Sequence, residues 1–385
     1  METLHDPTNL LPNALCLPPP AAGLKLSVII PVRNEAEALT KTLTSLAHQV
    51  DLSGHALDPD CYEVLLLANN CTDDTAEVAR CFARRTPSLT LHVAEISLPS
   101  SCAHVGTARK LLMDQACRRL LSCRQGRGVI ASTDGDTCVA PDWAAQMLRE
   151  IADGADAVGG RIRVERQRVE DREARLYSLR DTAYQRGLAR LEHLLDPDPA
   201  DPWPRHHQFF GGSLGITAEA YLAVGGLPPL PCLEDVALEA ALKRMDARIR
   251  HSPAVRVSTS PRQRGRTPLG LSAQLREWGQ MGRSGQAHWV QQPAAVAARF
   301  RAKRRLRHAK RTGQTDLAAL ADDLAVPAPL LQEGISDPQP FGTLWASVME
   351  HHMQREGVWA LRWPLIEMAQ ALPDLRRRLE AYRHA

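Results

Sequence analysis

The carboxylates of Ser132-Thr133-Asp134-Gly135-Asp136 are the strongest local chemical signal in the chain. Asp134 and Asp136 stand one residue apart around a glycine, a spacing that lets both turn toward one hard cation where a strand opens into a loop. Magnesium and manganese take such oxygen ligands and commonly share them with the phosphates of a bound nucleotide. Alone, the same residues also describe an ordinary Asp-Gly turn with a solvated aspartate, which is the commoner outcome for an isolated run of this kind. A second acidic pair, Glu234 and Asp235, follows Pro228, Pro229 and Pro231 and opens a helical stretch. Carboxylates there are favoured by the helix dipole whether or not they do chemistry. Arg262, Arg264 and Arg266 form a short basic run. Its fork-shaped donors suit a diphosphate, and a solvated loop is the plain alternative.

Positioning these groups requires a scaffold, and the first half of the chain supplies an alternation of strand-like and helix-like segments. Residues 26–30 are a short β-branched run, followed by residues 35–47 with Leu39, Leu43 and Leu46 at helical spacing. Residues 63–67 are a second apolar run, and the helix predicted after them carries Val78, Cys81 and Phe82 on one face. Residues 91–96 predict a third strand, residues 106–121 a helix, and residues 128–132 a fourth strand that ends at the acidic turn. Apolar strands separated by helices predict a parallel sheet covered on both faces, and such sheets bind ligands at the carboxyl ends of their strands. Residues 157–164 read as a further strand and residues 170–195 as a charged helix. A proline-rich connector follows, with Pro197, Pro199, Pro202 and Pro204. Beyond Pro268 the pattern is mostly helical, with a dense basic run over residues 299–311 and an amphipathic stretch over residues 361–379.

Composition narrows the function classes. Lys and Arg total 47 against 44 Asp and Glu, a net charge of +3 with both signs interspersed, too mild to argue for nucleic acid, and no nucleic-acid partner is predicted. Residues 1–20 hold Glu2 and Asp6 and a proline run, and do not read as a signal peptide; no window approaches the ~18 uninterrupted apolar residues of a membrane span. The nine cysteines lack any CxxC pair. These features predict a cytoplasmic protein with free thiols, at most peripheral to the inner face of the membrane. The basic residues 303–307 could rest on an anionic membrane, although a solvated helix face is the commoner role. The adjacent histidines His206-His207 and His351-His352 are not predicted to share a metal.

Residues 25–261 resemble the family 2 glycosyltransferases, the large group with the GT-A fold. The resemblance begins at Leu26-Ser27-Val28-Ile29-Ile30-Pro31-Val32-Arg33-Asn34-Glu35, similar to the family's opening strand and P-x-x-N-E turn. It continues through Asn69-Asn70-Cys71-Thr72-Asp73-Asp74-Thr75 and Gly106-Thr107-Ala108-Arg109-Lys110. Asp134-Gly135-Asp136 matches the D-x-D element. Phe210-Gly211-Gly212-Ser213-Leu214-Gly215-Ile216, Gly225-Gly226 and Glu234-Asp235 then come in the order of the acceptor-side half.

The resemblance implies a GT-A type, Rossmann-like, mostly parallel sheet with helices on both faces and a helical C-terminal extension. It divides the chain into an arm (residues 1–24), a glycosyltransferase domain (25–265, split into a nucleotide-sugar-binding half to 140 and an acceptor-side half from 141) and a helical region (266–385). Pro31, Arg33 and Glu35 would line the nucleoside pocket. Asn70 would lie near the base edge, where many members have an aspartate, and its amide can both donate and accept. Arg109, Asp134, Gly212 and Arg262 would face the nucleotide sugar. Asp134 and Asp136 would hold a divalent cation, Mn2+ or Mg2+. Asp235 would be the general base of an inverting transfer to an unidentified acceptor hydroxyl, with Glu234 beside it in the catalytic pair. Many members add a histidine ligand beyond this pair; here residues 254–262 contain none, and His251 reads as a strand-end residue. The competing readings are a nucleotidyltransferase on a related fold, which resembles a glycine-rich opening loop that residues 31–35 do not provide, and a non-catalytic nucleotide-sugar-binding protein.

Overall fold

The computed structural model describes residues 17–123, 126–165, 172–262, 269–354 and 356–382. The chain divides into two compact units interleaved in sequence. The first comprises Met1–Gln167, Gln208–Ala240 and Arg248–Ala273, the second Arg168–His207, Ala241–Ala247 and Gln274–Ala385.

The first unit is built on eight strands, β1 (Leu26–Val32), β2 (Tyr62–Asn69), β3 (Leu91–Ile96), β4 (Val129–Thr133), β5 (Thr137–Val139), β6 (Ala157–Val164), β7 (Ser213–Thr217) and β8 (Ile249–Thr259). They form one sheet in the order β3-β2-β1-β4-β7-β6-β8-β5. The pairs β1–β2, β1–β4, β2–β3 and β6–β8 are parallel, while β7 runs antiparallel to both β4 and β6 and β5 antiparallel to β8. Helices α1 (Ala36–Ala47), α2 (Thr75–Arg85), α3 (Val105–Cys123) and α4 (Trp143–Ala152) connect the strands of the first half. This is the mostly parallel, helix-flanked sheet expected from the sequence, with a helical region after it.

Side-chain alternation explains the layering. Leu26, Val28, Ile30 and Val32 join Leu39 and Leu43 of α1, Ala76 and Ala79 of α2 and Trp143 and Met147 of α4 in one core cluster. Ile29, Leu65, Leu67 and Ile130 point to the other face and are equally buried, and α3 packs on β1. Each such Leu or Ile contributes about 1.5–3 kcal/mol of burial. The indole N–H of Trp143, a fully buried side chain, donates to Ser213 Oγ at 3.2 Å, so its one polar atom is satisfied.

Near the amino ends of β1 and β2, a buried ion cluster ties α3 to the sheet. Arg119 donates to both oxygens of Glu63, at 2.8 and 2.5 Å, and Ser27 Oγ donates to Glu63 Oε1 at 3.0 Å. Desolvation favours the protonated carboxyl, but the hydrogen bonds from Arg119, His92 and Ser27 outweigh it and hold Glu63 down at about 2.

Two features escape simple periodicity. β5 has only three residues, too few to show alternation, and is recruited because Thr137 to Val139 pair in register with Thr259 to Val257. The amphipathic stretch over residues 361–379 is broken: a helix ends at Arg362, the two-residue strand Ile366–Glu367 follows, and the last helix runs Met368–Ala381. Pro364 explains the break, since it lacks an N–H and disfavours helical backbone before it.

The second unit is helical. Helices Arg172–Leu195, Pro293–Thr312 and Met368–Ala381 share a core of Tyr184, Leu191, Ala297, Met368 and Leu375. A second core joins Leu306 to Leu320, Leu324, Leu331 and Val348.

Candidate active site

The predicted donor-side residues gather at the carboxyl ends of β1, β2 and β4. Asn34 and Asn70 leave β1 and β2 with φ of 54° and 52°, the left-handed region that asparagine tolerates better than most residues. Asn34 Oδ1 accepts from the Thr72 N–H at 2.7 Å, and Asp73 Oδ2 accepts from the Ala36 N–H at 3.2 Å, so each turn braces the other. The Glu35 N–H donates to buried Thr75 Oγ1 at 2.7 Å, which fixes the direction in which the Glu35 side chain leaves the backbone. Thr75 was not predicted as a site residue, and its only sequence signal is a Ser/Thr one residue after an acidic pair.

The acidic turn lies beside this brace. The Gly135 carbonyl accepts from Thr42 Oγ1 of α1 at 2.9 Å, and a Cβ on Gly135 would come within 2.6 Å of Val32. Glycine is therefore required for the turn to sit against β1. Arg262 donates to both Glu35 oxygens, at 2.8 and 2.6 Å, and approaches Asp136 Oδ2 at 3.0 Å. Burial, and then the neighbouring Asp134, push the Asp136 carboxyl up to about 6, with Arg262 pulling the other way. Glu35, predicted at the nucleoside pocket, and Asp136, a predicted metal ligand, thus share a single guanidinium.

A second arginine joins the two predicted catalytic motifs. Arg109 of α3 donates to Asp134 Oδ1 at 2.7 Å through Nη2 and to Glu234 through Nη1. It is not the solvated helix position that its neighbour Lys110 could suggest, since Arg109 is 4% exposed and Glu234 3%. Burial pushes the Glu234 carboxyl up, Arg109 opposes that rise, and the charge of Asp235 adds to it. Glu234 begins helix Glu234–Arg244 directly after Leu233, whose φ of 60° is uncommon for a side-chain-bearing residue. Asp235 is half-buried: Oδ2 accepts from the Gly211 N–H at 2.7 Å and Oδ1 from the Val236 N–H at 2.8 Å. Two of its four lone-pair positions remain for other partners.

The glycines of β7's approach make room for this arrangement. A Cβ on Gly211 would collide with the Arg109 guanidinium, and one on Gly212 would sit 3.0 Å from Asp134 Oδ2. Ser132 Oγ donates to the Gly211 carbonyl at 2.7 Å and Thr133 Oγ1 to the Gly212 carbonyl at 3.1 Å, pinning the glycine turn to the end of β4. Sequence reasoning missed the Gly211 amide and these two hydroxyls, whose residues lie beside the predicted motifs.

The remaining predicted residues are dispersed around the turn. Pro31 is buried within β1, opposite Leu67. Arg33 is exposed and donates to the Ala103 carbonyl at 3.1 Å. The Asn70 amide is engaged on both sides, donating to the Leu98 carbonyl at 2.9 Å and accepting from the Leu98 N–H at 3.1 Å, and so fixes the segment after β3. His251 lies inside β8 and faces Glu239 at 3.6 Å. Arg264 and Arg266 lie outside the described residues. In the second unit, Lys303 and Arg307 of the basic run pair with Glu192 and Asp196, Arg305 pairs with Asp323, and Lys310 donates to the Gly334 carbonyl at 2.7 Å. No helix among the described residues is long and apolar enough to cross a membrane.

Among the described residues, no group of three or more His, Cys, Asp or Glu side chains is placed to hold a metal. The donor set of Asp134 and Asp136 still fits magnesium or manganese, which bind through one or two carboxylates and complete their shell with phosphates and water.

Residues 27–201 match the model of glycosyl transferase family 2. The glycosyltransferase AglE of Haloferax volcanii is 30% identical over 139 residues, 36% of this chain and 39% of that protein, so the chain spans well under half the length of this curated relative. Among solved structures, the mannosyltransferase PcManGT from Pyrobaculum calidifontis in complex with GDP-Man and Mn2+ aligns over 94% of this chain and 89% of that one, at 17% identity and a TM-score of 0.43. TarS from S. aureus in complex with UDP-GlcNAc aligns over 86% of this chain and 92% of that one, at 16% identity and a TM-score of 0.44.

Proposed function

We propose, from the match of residues 27–201 to the model of glycosyl transferase family 2, that the protein transfers a sugar from a nucleoside diphosphate donor to an acceptor hydroxyl, with inversion at the anomeric carbon. The observation that carries the proposal is the physical linkage of two acidic motifs a hundred residues apart: Asp134 and Glu234 on one guanidinium, and Asp235 on the Gly211 amide beside Asp134.

In this reading Glu35 and Arg262 face the nucleoside diphosphate, and Asp134 and Asp136 hold a divalent cation together with its phosphates. When bound, the cation offsets the charge that grows on the departing diphosphate. Asp235 accepts the proton of the acceptor hydroxyl as that oxygen bonds to the anomeric carbon and the bond to the diphosphate oxygen breaks. The Gly211 N–H holds one Asp235 oxygen, leaving the carboxylate oriented for this transfer. Glu234, buried on Arg109, orients the start of the helix rather than meeting substrate. Two of the solved structures named above are complexes with GDP-Man and UDP-GlcNAc, so GDP- and UDP-sugars are the first donors to try.

A thermal-shift panel of UDP- and GDP-sugars, with and without Mn2+, tests the donor: a true donor raises the melting temperature, more so with the cation. Asp235→Asn should leave that shift intact and lower transfer about 10²–10⁴-fold, the usual range for a lost general base. Full activity in this variant would remove Asp235 from the mechanism, and a product of retained configuration would remove inversion.

A further inference from the structure

We propose that Arg109 is the positioning residue that sets the cation-binding carboxylate and the base-bearing helix in register, without itself holding the donor. The inference rests on the glycosyltransferase reading above and differs from the donor-facing role that the family resemblance implied for this residue.

Three observations point to it. First, both Nη atoms are committed to carboxylates, Nη2 to Asp134 at 2.7 Å and Nη1 to Glu234. Second, the guanidinium is enclosed: Arg109 is 4% exposed, its Nε is buried without a hydrogen-bond partner, and the bare Cα of Gly211 closes over it. A group that must swing out to a diphosphate would have to leave two buried or half-buried carboxylates behind. Third, its two partners belong to different parts of the proposed chemistry. Asp134 follows β4 in the proposed cation-binding turn, while Glu234 opens the helix that carries Asp235. Gly211 completes the loop, because the residue whose Cα touches Arg109 donates its N–H to Asp235.

The planar fork matters as well as the charge. Two separate Nη groups can meet two carboxylates at a fixed angle, whereas a lysine presents one compact ammonium on a shorter reach. Arg109→Lys therefore keeps the charge and loses the span. Misplacement of reacting groups by about 1 Å costs about 100-fold in rate, and loss of a group orienting a metal ligand costs about 10–100-fold in metal affinity.

The test compares wild type, Arg109→Lys and Arg109→Gln/Glu234→Gln by circular dichroism and thermal melting, by electron paramagnetic resonance of added Mn2+, and by steady-state release of nucleoside diphosphate from a UDP- and GDP-sugar panel. The double variant provides a neutral pair if the lysine variant does not fold. The expected result for a folded variant is Mn2+ binding weakened at least tenfold and kcat lowered about 100-fold, with donor KM within threefold of wild type. A raised donor KM with kcat intact would show a direct donor contact and overturn the proposal. So would unchanged kcat and Mn2+ affinity with only a lower melting temperature, which is what a purely structural arginine gives. A wild-type protein that binds no Mn2+ and releases no nucleoside diphosphate from any donor sinks the glycosyltransferase reading and this role with it, whereas an active wild type with an unaffected lysine variant sinks the role alone.

Discussion

Two arginines organise the acidic site, and their surroundings differ. Arg109 is 4% exposed and joins Asp134 to Glu234, carboxylates from separate parts of the chain. Arg262 leaves its side chain 32% exposed and holds Glu35 and Asp136. A buried guanidinium with two buried or half-buried partners is expensive to withdraw, because each partner would lose its counter-charge in a medium that solvates it poorly. Water reaches the Arg262 guanidinium, which can therefore turn outward more readily, but Glu35 and Asp136 are 7% and 10% exposed and need another cation to take its place. The difference separates a fixed strut from a movable clamp, although both are arginines on paired acids.

The largest expected effect tests that difference directly. Arg109→Ala strands Glu234 without a partner and should cost about 3–5 kcal/mol of stability in urea unfolding at neutral pH. Arg262→Ala should cost less, about 1–3 kcal/mol in the same measurement, because water reaches the Arg262 guanidinium although Glu35 and Asp136 are themselves buried. Equal losses would erase the distinction between strut and clamp.

A third arginine supplies a buried control. Arg119 and Glu63 form an ion pair as secluded as the Arg109 cluster, but Arg119's further partners are the Pro18 carbonyl and His92 rather than any predicted site residue. The folded Glu63 carboxyl titrates at about 2, below the ordinary 4.5, so its stabilising contribution is complete above about pH 4.5 and is lost as the pH falls towards 2. That contribution is on the order of 3 kcal/mol. Glu63→Gln should therefore be most destabilising near neutrality and approach wild type near pH 2.5, with donor affinity and Mn2+ binding unchanged at pH 7. A pH-independent difference between the two proteins would show that the pair contributes through shape rather than charge.

This contrast between arginines is the part of the site least legible in sequence. The strands were readable because β1, β2 and β4 are continuous apolar runs, and the Asp134-Gly135-Asp136 turn was readable because its chemistry lies within three residues. Arg109, Asp134 and Glu234 were each singled out, but their convergence depends on β7 returning antiparallel to β4 and setting Gly211 and Gly212 beside the turn. No local spacing encodes such a long-range pairing. Asn70 illustrates the opposite difficulty. Its residue type suited base recognition, yet its amide also matches the backbone of Leu98, and only the path of the chain after β3 decides which partner it meets. β5 likewise depends on β8, since three residues carry no pattern of their own.

The smallest effect is the most discriminating in sign. Without donor, Arg262 offers positive charge to Asp136 in the place where a cation would be drawn. A bound ion must compete with it, and the apparent affinity falls by the fraction of molecules in which Asp136 is already engaged. Arg262→Ala should therefore tighten binding of Mn2+ alone, by about fivefold for each 1 kcal/mol that the Arg262–Asp136 pair is worth. The same variant should raise donor KM at saturating Mn2+, because the released guanidinium is the clamp proposed to turn onto the diphosphate. Arg109→Lys is expected to move Mn2+ affinity the other way, since its loss is one of geometry. Opposite signs for the two arginines, read by Mn2+ paramagnetic resonance on the donor-free proteins, would establish that one excludes the cation and the other prepares its site; the same sign for both would return them to a single electrostatic role.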